Sequence, residues 1–108
     1  MYNLNQKNQP DIIQVRQGEL LAYKGYVHIS VGIGLEYQIG NGEILQLKNS
    51  GVEYENPENM SERMTGGDAA TQIFQFEAVA VGETELTISN NFRGRIESQQ
   101  VWKIIVIS

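Results

Sequence analysis

The sequence contains no cysteine and only one histidine among its 108 residues. Disulfides, thiolate metal sites and a cysteine nucleophile are therefore excluded. A zinc site normally recruits several His or Cys ligands, so zinc is not expected either. The lack of cysteine does not identify a compartment, because an extracytoplasmic domain can also do without it.

Positive charge is also scarce, since eight Lys and Arg stand against 13 Asp and Glu and give a net charge of −5. The few basic residues are spread thinly and do not form a phosphate-binding surface, so we expect neither nucleic acid nor a membrane as a partner. No apolar run approaches the roughly 18 residues that span a bilayer.

The first ten residues are polar, rich in Asn and Gln, and lack the apolar centre of a signal peptide. We predict a flexible N-terminal segment over residues 1–10, followed by a single domain over residues 11–108. The compartment stays open. It is cytoplasmic if the chain begins here, and extracytoplasmic if a leader was removed from a longer precursor.

Apolar and polar residues alternate in short runs that Gly, Asn and Pro separate, and this period of two is typical of β-strands. Phe74, Phe76 and Ala78 share one face of the clearest run. The C-terminal run, residues 101–107, is apolar on both faces, as in a strand in the middle of a sheet. The pattern predicts an all-β protein, an immunoglobulin-like antiparallel β-sandwich of seven or eight strands.

Some local expectations follow from the same pattern. Gly25 predicts a bulge or bend within a long strand over residues 19–31, in which Val31 faces inward. Asn49-Ser50-Gly51 predicts a turn, and residues 90–100 are predicted to form a polar loop.

Catalytic chemistry is not indicated. His28 lies in the middle of a predicted strand on its outward face, with no sign of a triad around it. The four glutamates between residues 53 and 62 lack calcium-loop spacing and are read as a solvated surface. Gly32-Ile33-Gly34 lacks the third glycine and the helix of a dinucleotide loop, so we interpret it as a loop with Ile33 exposed at its tip. We therefore predict a binding protein without a cofactor or a metal, and not an enzyme.

Two runs of the sequence carry a family resemblance. They are Gly66-Gly67-Asp68 leading into Thr71-Gln72-Ile73-Phe74-Gln75-Phe76-Glu77-Ala78, and Val81-Gly82-Glu83-Thr84-Glu85-Leu86-Thr87-Ile88. With a Gly-Glu turn at Gly18-Glu19, these motifs resemble those of the chagasin-like inhibitors of papain-family cysteine proteases. The resemblance runs from about Ile12 to Ile107. It implies an immunoglobulin-like sandwich whose three loops at one end fill the protease cleft and cover the catalytic cysteine without being cut.

The resemblance also implies which residues form the protease-binding loops. The first loop is Ser30, Val31, Gly32, Ile33 and Gly34, the second is Thr65, Gly66, Gly67 and Asp68, and the third is Phe92, Arg93, Gly94 and Arg95. Ile33 would insert as an apolar tip, Gly66 and Gly67 would allow close backbone approach, and Phe92 and Arg93 would anchor the edge of the contact.

Two of these loops depart from the family pattern. The first loop of the family reads Asn-Pro-Thr-Thr-Gly, and only its last glycine is matched, by Gly34. The third loop of the family carries Arg-Pro-Trp, and residues 91–95 keep an Arg and an aromatic in altered order. Two functions therefore remain open: a monomeric, reversible inhibitor of a papain-like cysteine protease, and an adhesion or structural interaction module whose inhibitor loops have drifted.

Overall fold

A computed structural model describes residues 1–6, 10–28, 31–54 and 69–108 of the chain. The regular elements that lie entirely within these ranges are strands. In chain order they are β1 (Tyr2–Asn3), β2 (Ile12–Arg16), β3 (Leu20–His28), β4 (Ile33–Ile39), β5 (Leu45–Tyr54), β6 (Ala69–Ala78), β7 (Gly82–Phe92) and β8 (Arg95–Ile107). The all-β class predicted from the period of two is confirmed.

The strands form two layers that face each other. One layer has the order β2-β8-β7-β4, and the other has the order β1-β3-β6-β5. Among the described residues, one bridged pair, His28 with Ile33, joins β3 to β4 and makes the layers continuous at that end. Across the interior, the rings of Tyr23 and Trp102 lie 5.9 Å apart. The arrangement is the β-sandwich that the sequence predicts.

Two strand pairs differ from the predicted antiparallel arrangement. β2 runs parallel to β8, with Ile13 opposite Ile104, and β1 runs parallel to β3, with Tyr2 opposite Leu21. Both pairs add a strand of the N-terminal part of the chain to an outer edge of a layer. Strands paired in this way cannot be joined by a tight hairpin, so the local sequence gives no sign of them.

Part of the N-terminal segment that was predicted to be flexible, residues 2–5, packs with the domain. Leu4 is only 1% exposed and belongs to the core cluster. The side-chain amide of Asn5 binds both backbone groups of Lys24: its Nδ2 donates to the carbonyl, and its Oδ1 accepts from the N–H, each at 2.8 Å. A two-residue strand is too short to show alternation, which is why the pattern missed it.

The core between the layers contains the residues that the alternation predicts. Phe74, Phe76 and Ala78 of β6 are buried, and so are Leu86 and Ile88 of β7. Burial of an aliphatic or aromatic side chain stabilises a fold by about 1.5–3 kcal/mol relative to leaving it exposed. The interior therefore fixes the register of both layers, because a slip by one residue would turn these side chains outward.

Two local predictions are wrong. Asn49-Ser50-Gly51 is not a turn but part of β5, whose pairing with β6 shifts register between Leu47 and Asn49. Gly25 causes no register shift in the pairing of β3 with β6. Its hydrogen side chain instead leaves room for Leu35, because a Cβ there would lie 2.9 Å from Leu35 Cδ2. The small and polar residues Asn49, Ser50 and Gly51 are compatible with a turn, but their pairing with β6 keeps them in an extended strand.

Candidate functional site

The predicted third loop is a tight hairpin turn. β7 and β8 remain paired up to Phe92 opposite Arg95, which leaves only Arg93 and Gly94 between them. These two residues have φ values of 51° and 82°. Positive φ at both central positions is typical of a type I′ turn, whose twist matches that of the flanking strands. We call residues 92–95 the hairpin tip.

The polar loop predicted for residues 90–100 is therefore wrong. Those residues lie on two paired strands, except for the turn itself. In β8, residues 95–101 are exposed on both faces of the strand. Their polar character reflects that exposure, and it hides the alternation that would have indicated a strand.

At the hairpin tip, an aromatic ring and a guanidinium lie against each other. The Arg93 Cζ is 5.2 Å from the centroid of the Phe92 ring, and Phe92 is 37% exposed. A cation over a ring face is attracted by the ring quadrupole. The contact holds the charge of Arg93 at the surface beside an accessible apolar ring.

Four residues of the predicted first loop, residues 31–34, are described, and Ser30 lies outside the described residues. Val31 is 39% exposed and does not face inward as predicted. Gly32 has a φ of 86°. Ile33 is half-buried and opens β4, with His28 opposite on one side and Phe92 on the other, so it is not the exposed tip that the sequence predicts.

The first and third loops touch each other. The backbone N–H of Arg93 donates to the carbonyl oxygen of Gly32 at 2.8 Å. A Cβ at Gly32 would lie 2.9 Å from Arg93 Cγ and 3.3 Å from Arg93 Cα, so only glycine allows this approach. Next to this contact, Gly34 pairs with Asn91. Residues 31–34 and 92–95 thus form one surface, which we call the paired rim.

The second predicted loop, with Thr65, Gly66, Gly67 and Asp68, lies outside the described residues. The strand positions on either side of it are described. Tyr54 ends β5 opposite Ala70, and Ala69 begins β6 opposite His28. Because His28 is also bridged to Ile33, both ends of this connection are at the same end of the sandwich as the paired rim.

Sequence reasoning missed one exposed apolar residue beside the hairpin tip. Ile96 is 59% exposed and lies opposite Asn91, next to the turn. The only signal in the sequence is that Ile96 is apolar whereas its neighbours Arg95 and Glu97 are charged. Such a signal is weak, because single exposed apolar residues are common on protein surfaces.

Within the ranges that the structure describes, no three His, Cys, Asp or Glu side chains come together as potential metal ligands. In the same ranges, no helix has the length and apolarity needed to cross a membrane.

No protein-family model matches the chain, and no curated protein matches its sequence. Solved structures do match the chain. The cysteine protease inhibitor EhICP2 from Entamoeba histolytica superposes with a TM-score of 0.75 at 13% identity, over 97% of this chain and 94% of that one. The solution structure of amebosin has a TM-score of 0.57 at 14% identity, over 97% and 92%. The chain therefore has, along nearly its whole length, the β-sandwich fold of a solved cysteine protease inhibitor, as its resemblance to the chagasin-like inhibitors implied.

Proposed function

We propose that this chain is a reversible inhibitor of papain-like cysteine proteases, which occupies the active-site cleft with the paired rim and is not cut. The observation that carries the proposal is the contact of Gly32 with Arg93, which unites two distant segments of the chain into one surface at one end of the sandwich. The fold shared with EhICP2 supports it. The proposal assigns binding, and not catalysis, to the chain.

A cleft-filling surface has to be ordered before it binds. The paired rim meets this requirement, because Ile33 and Phe92 are strand partners and the turn between β7 and β8 has only two residues, Arg93 and Gly94. A preorganised surface loses little conformational entropy on docking, so more of the contact energy appears as affinity.

The same order accounts for resistance to cleavage. Proteolysis of a folded segment requires that it open locally, and the rate of cutting follows the population of the open form. Opening the hairpin tip would break the pairing of Phe92 with Arg95 and the hydrogen bond to Gly32. We propose that the rim enters the cleft as a folded surface and not as an extended substrate.

Exposed side chains of the paired rim are of the kinds that dominate protein–protein contacts. Val31 and Phe92 offer accessible apolar surface, and Arg93 lies against the Phe92 ring. Aromatic residues and Arg are enriched among the residues that dominate binding energy. Gly66 and Gly67 of the second loop would permit close backbone approach to the protease.

Titration of papain with the purified chain tests the proposal, with hydrolysis of a peptide substrate as the readout. We expect inhibition with a nanomolar or weaker constant, recovery of activity on dilution, and an intact inhibitor on a gel afterwards. The Phe92→Ala variant should weaken inhibition by at least about tenfold, as for a residue that carries binding energy. Val81→Ala, at another exposed apolar position (55%), is the matched control and should have no effect. A folded chain that inhibits no papain-like protease at high micromolar concentration would exclude the function.

One observation favours the alternative of an adhesion or structural interaction module. Residues 95–101 of β8 are all exposed, and β2 covers the edge of β8 only over residues 103–107. Within the described part of the chain, the outer edge of residues 95–101 has no partner strand. An exposed edge can accept an extended segment of another protein. A defined partner that crosslinks to this edge, together with no inhibition of any papain-like protease, would favour this function.

A further inference from the structure

Four of the basic side chains in the described residues, those of Arg16, Lys24, Arg93 and Arg95, form no ion pair. Arg93 and Arg95 differ from the other two because they lie together, at the hairpin tip. Lys48 and Lys103 each contact a glutamate, at 3.2 and 3.4 Å. Arg93 and Arg95 form no ion pair within the described part of the chain. Their charges therefore remain available to a partner.

Arg93 also occupies a backbone position that another residue would fill at lower cost. Its φ of 51° lies in the left-handed region, where Gly and Asn are favoured. At this position, Arg adds a long charged side chain to a turn that does not need one. The guanidinium packs against the Phe92 ring, and this contact fixes the direction in which the Arg93 side chain points.

The charge of the hairpin is opposite in sign to that of the whole chain. The net charge of the chain is −5. Between Asn90 and Gln100, the only charged residues are Arg93, Arg95 and Glu97, so this stretch is positive by one charge. A partner with acidic groups is repelled by most of the chain and attracted at the tip, which orients the encounter.

We infer that the protease surface that meets the hairpin tip is acidic, with carboxylates on the rim of the cleft that pair with Arg93 and Arg95. This inference rests on the proposed function and narrows it to papain-like proteases with acidic cleft rims. Arginine suits the role, because its planar guanidinium donates two parallel hydrogen bonds to a carboxylate.

The experiment compares two folded double variants with the same change in net charge. The double variant Arg93→Glu with Arg95→Glu reverses the sign of the charge at the hairpin tip. The double variant Lys48→Glu with Lys103→Glu reverses the charge of two basic residues elsewhere on the molecule. Each is titrated against one papain-like protease with an acidic cleft rim and one with a basic rim, at low and high salt. Thermal unfolding of each variant checks that it is folded.

The unmodified chain should inhibit the acidic-rim protease about tenfold or more tightly than the basic-rim one. Reversal of the tip should weaken inhibition of the acidic-rim protease by about 100-fold, and reversal of the lysines by no more than about threefold. Added salt should weaken inhibition by the unmodified chain more than inhibition by the variant with the reversed tip charge.

A neutral variant protects the test against a folding defect. Arg93→Asn with Arg95→Gln keeps a residue that the turn favours and removes both charges, and it should lose about tenfold against the acidic-rim protease only. Inhibition that is equal for the two proteases, or insensitive to these substitutions, would overturn the inference and leave the proposed function standing. If the unmodified chain inhibits neither protease, the proposed function fails and the inference falls with it.

Discussion

The backbone N–H of Arg93 and the carbonyl oxygen of Gly32 are joined by a 2.8 Å hydrogen bond. The bond links the turn of the β7–β8 hairpin to the residue that precedes β4, and the neighbouring residues Ile33 and Phe92 are strand partners. The position of one segment of the rim therefore depends on the other. A substitution in either segment should therefore alter the conformation of the whole paired rim.

Gly32→Ala is expected to destabilise the protein and to weaken inhibition together. The new methyl group would meet the side chain and the backbone of Arg93 at 2.9 and 3.3 Å, and φ of 86° is unfavourable for alanine. A non-glycine residue held in such a conformation costs about 1–3 kcal/mol. Urea unfolding measures the loss of stability, and titration of papain measures the loss of affinity.

Gly34→Ala is the matched control for this substitution. Gly34 is not in the positive-φ region, and a Cβ there would have no atom within 4 Å. Its unfolding free energy should stay the same or rise by about 0.5 kcal/mol, because alanine loses less backbone entropy on folding. Equal behaviour of the two variants would contradict the role given to the contact of Gly32 with Arg93.

Arg93→Asn is expected to separate stability from binding. Asparagine tolerates positive φ better than arginine, so the free energy of unfolding should rise by about 0.5–1 kcal/mol. Inhibition of the target should weaken, because the guanidinium against the Phe92 ring is lost. Thermal unfolding and protease titration on the same sample check both. A variant that is both more stable and equally inhibitory would show that the charge has no binding role.

Leu4→Ala tests whether the N-terminal residues belong to the folded domain. Leu4 is 1% exposed, and truncation of a buried leucine to alanine costs about 2–5 kcal/mol. Ile12→Ala removes a similar amount of apolar side chain from a position that is 56% exposed and should cost less than about 1 kcal/mol. Urea denaturation of the two variants decides the matter, and a similar small loss in both would mean that Leu4 does not pack in the core in solution.

Trp102 has a fully buried ring whose Nε1 finds no acceptor among the described residues. Removal of a large buried aromatic side chain costs about 3–5 kcal/mol, whereas burial of an unsatisfied donor itself costs about 1–3 kcal/mol. Trp102→Phe removes the donor and keeps most of the ring contact with Tyr23, so we expect a loss of less than about 2 kcal/mol. Trp102→Ala should lose at least twice as much. Far-UV circular dichroism in urea measures both, and equal losses would imply that the indole N–H has a partner.

The buried strands could be predicted from the sequence because the alternation of apolar and polar residues indicates which face of a strand is buried. Phe74 and Phe76 of β6 follow this rule, and both are buried. Alternation disappears where both faces meet water, so the part of β8 between Arg95 and Val101 resembled a loop. It is also absent where a strand has only two residues, as at Tyr2.

The candidate site was predictable only in part, for a related reason. The identity of the loops came from motifs near Phe74 and Gly82, which are scaffold residues and not rim residues. The contact between Gly32 and Arg93 depends on pairing between strands that are distant in the chain, and no local pattern reports such pairing. The positive φ of Arg93 could not be predicted from the sequence either, because arginine is not one of the residues that are typical of tight turns.

The side chain of Asn5 imitates a peptide group when it engages the N–H and C=O of Lys24. A foreign chain that approached β3 at this point would find both groups already occupied. Intermolecular sheet growth of the kind that leads to fibrils is thereby blocked on this flank. We expect Asn5→Ala to increase aggregation of concentrated samples more than it lowers the melting temperature, which light scattering and thermal unfolding can compare.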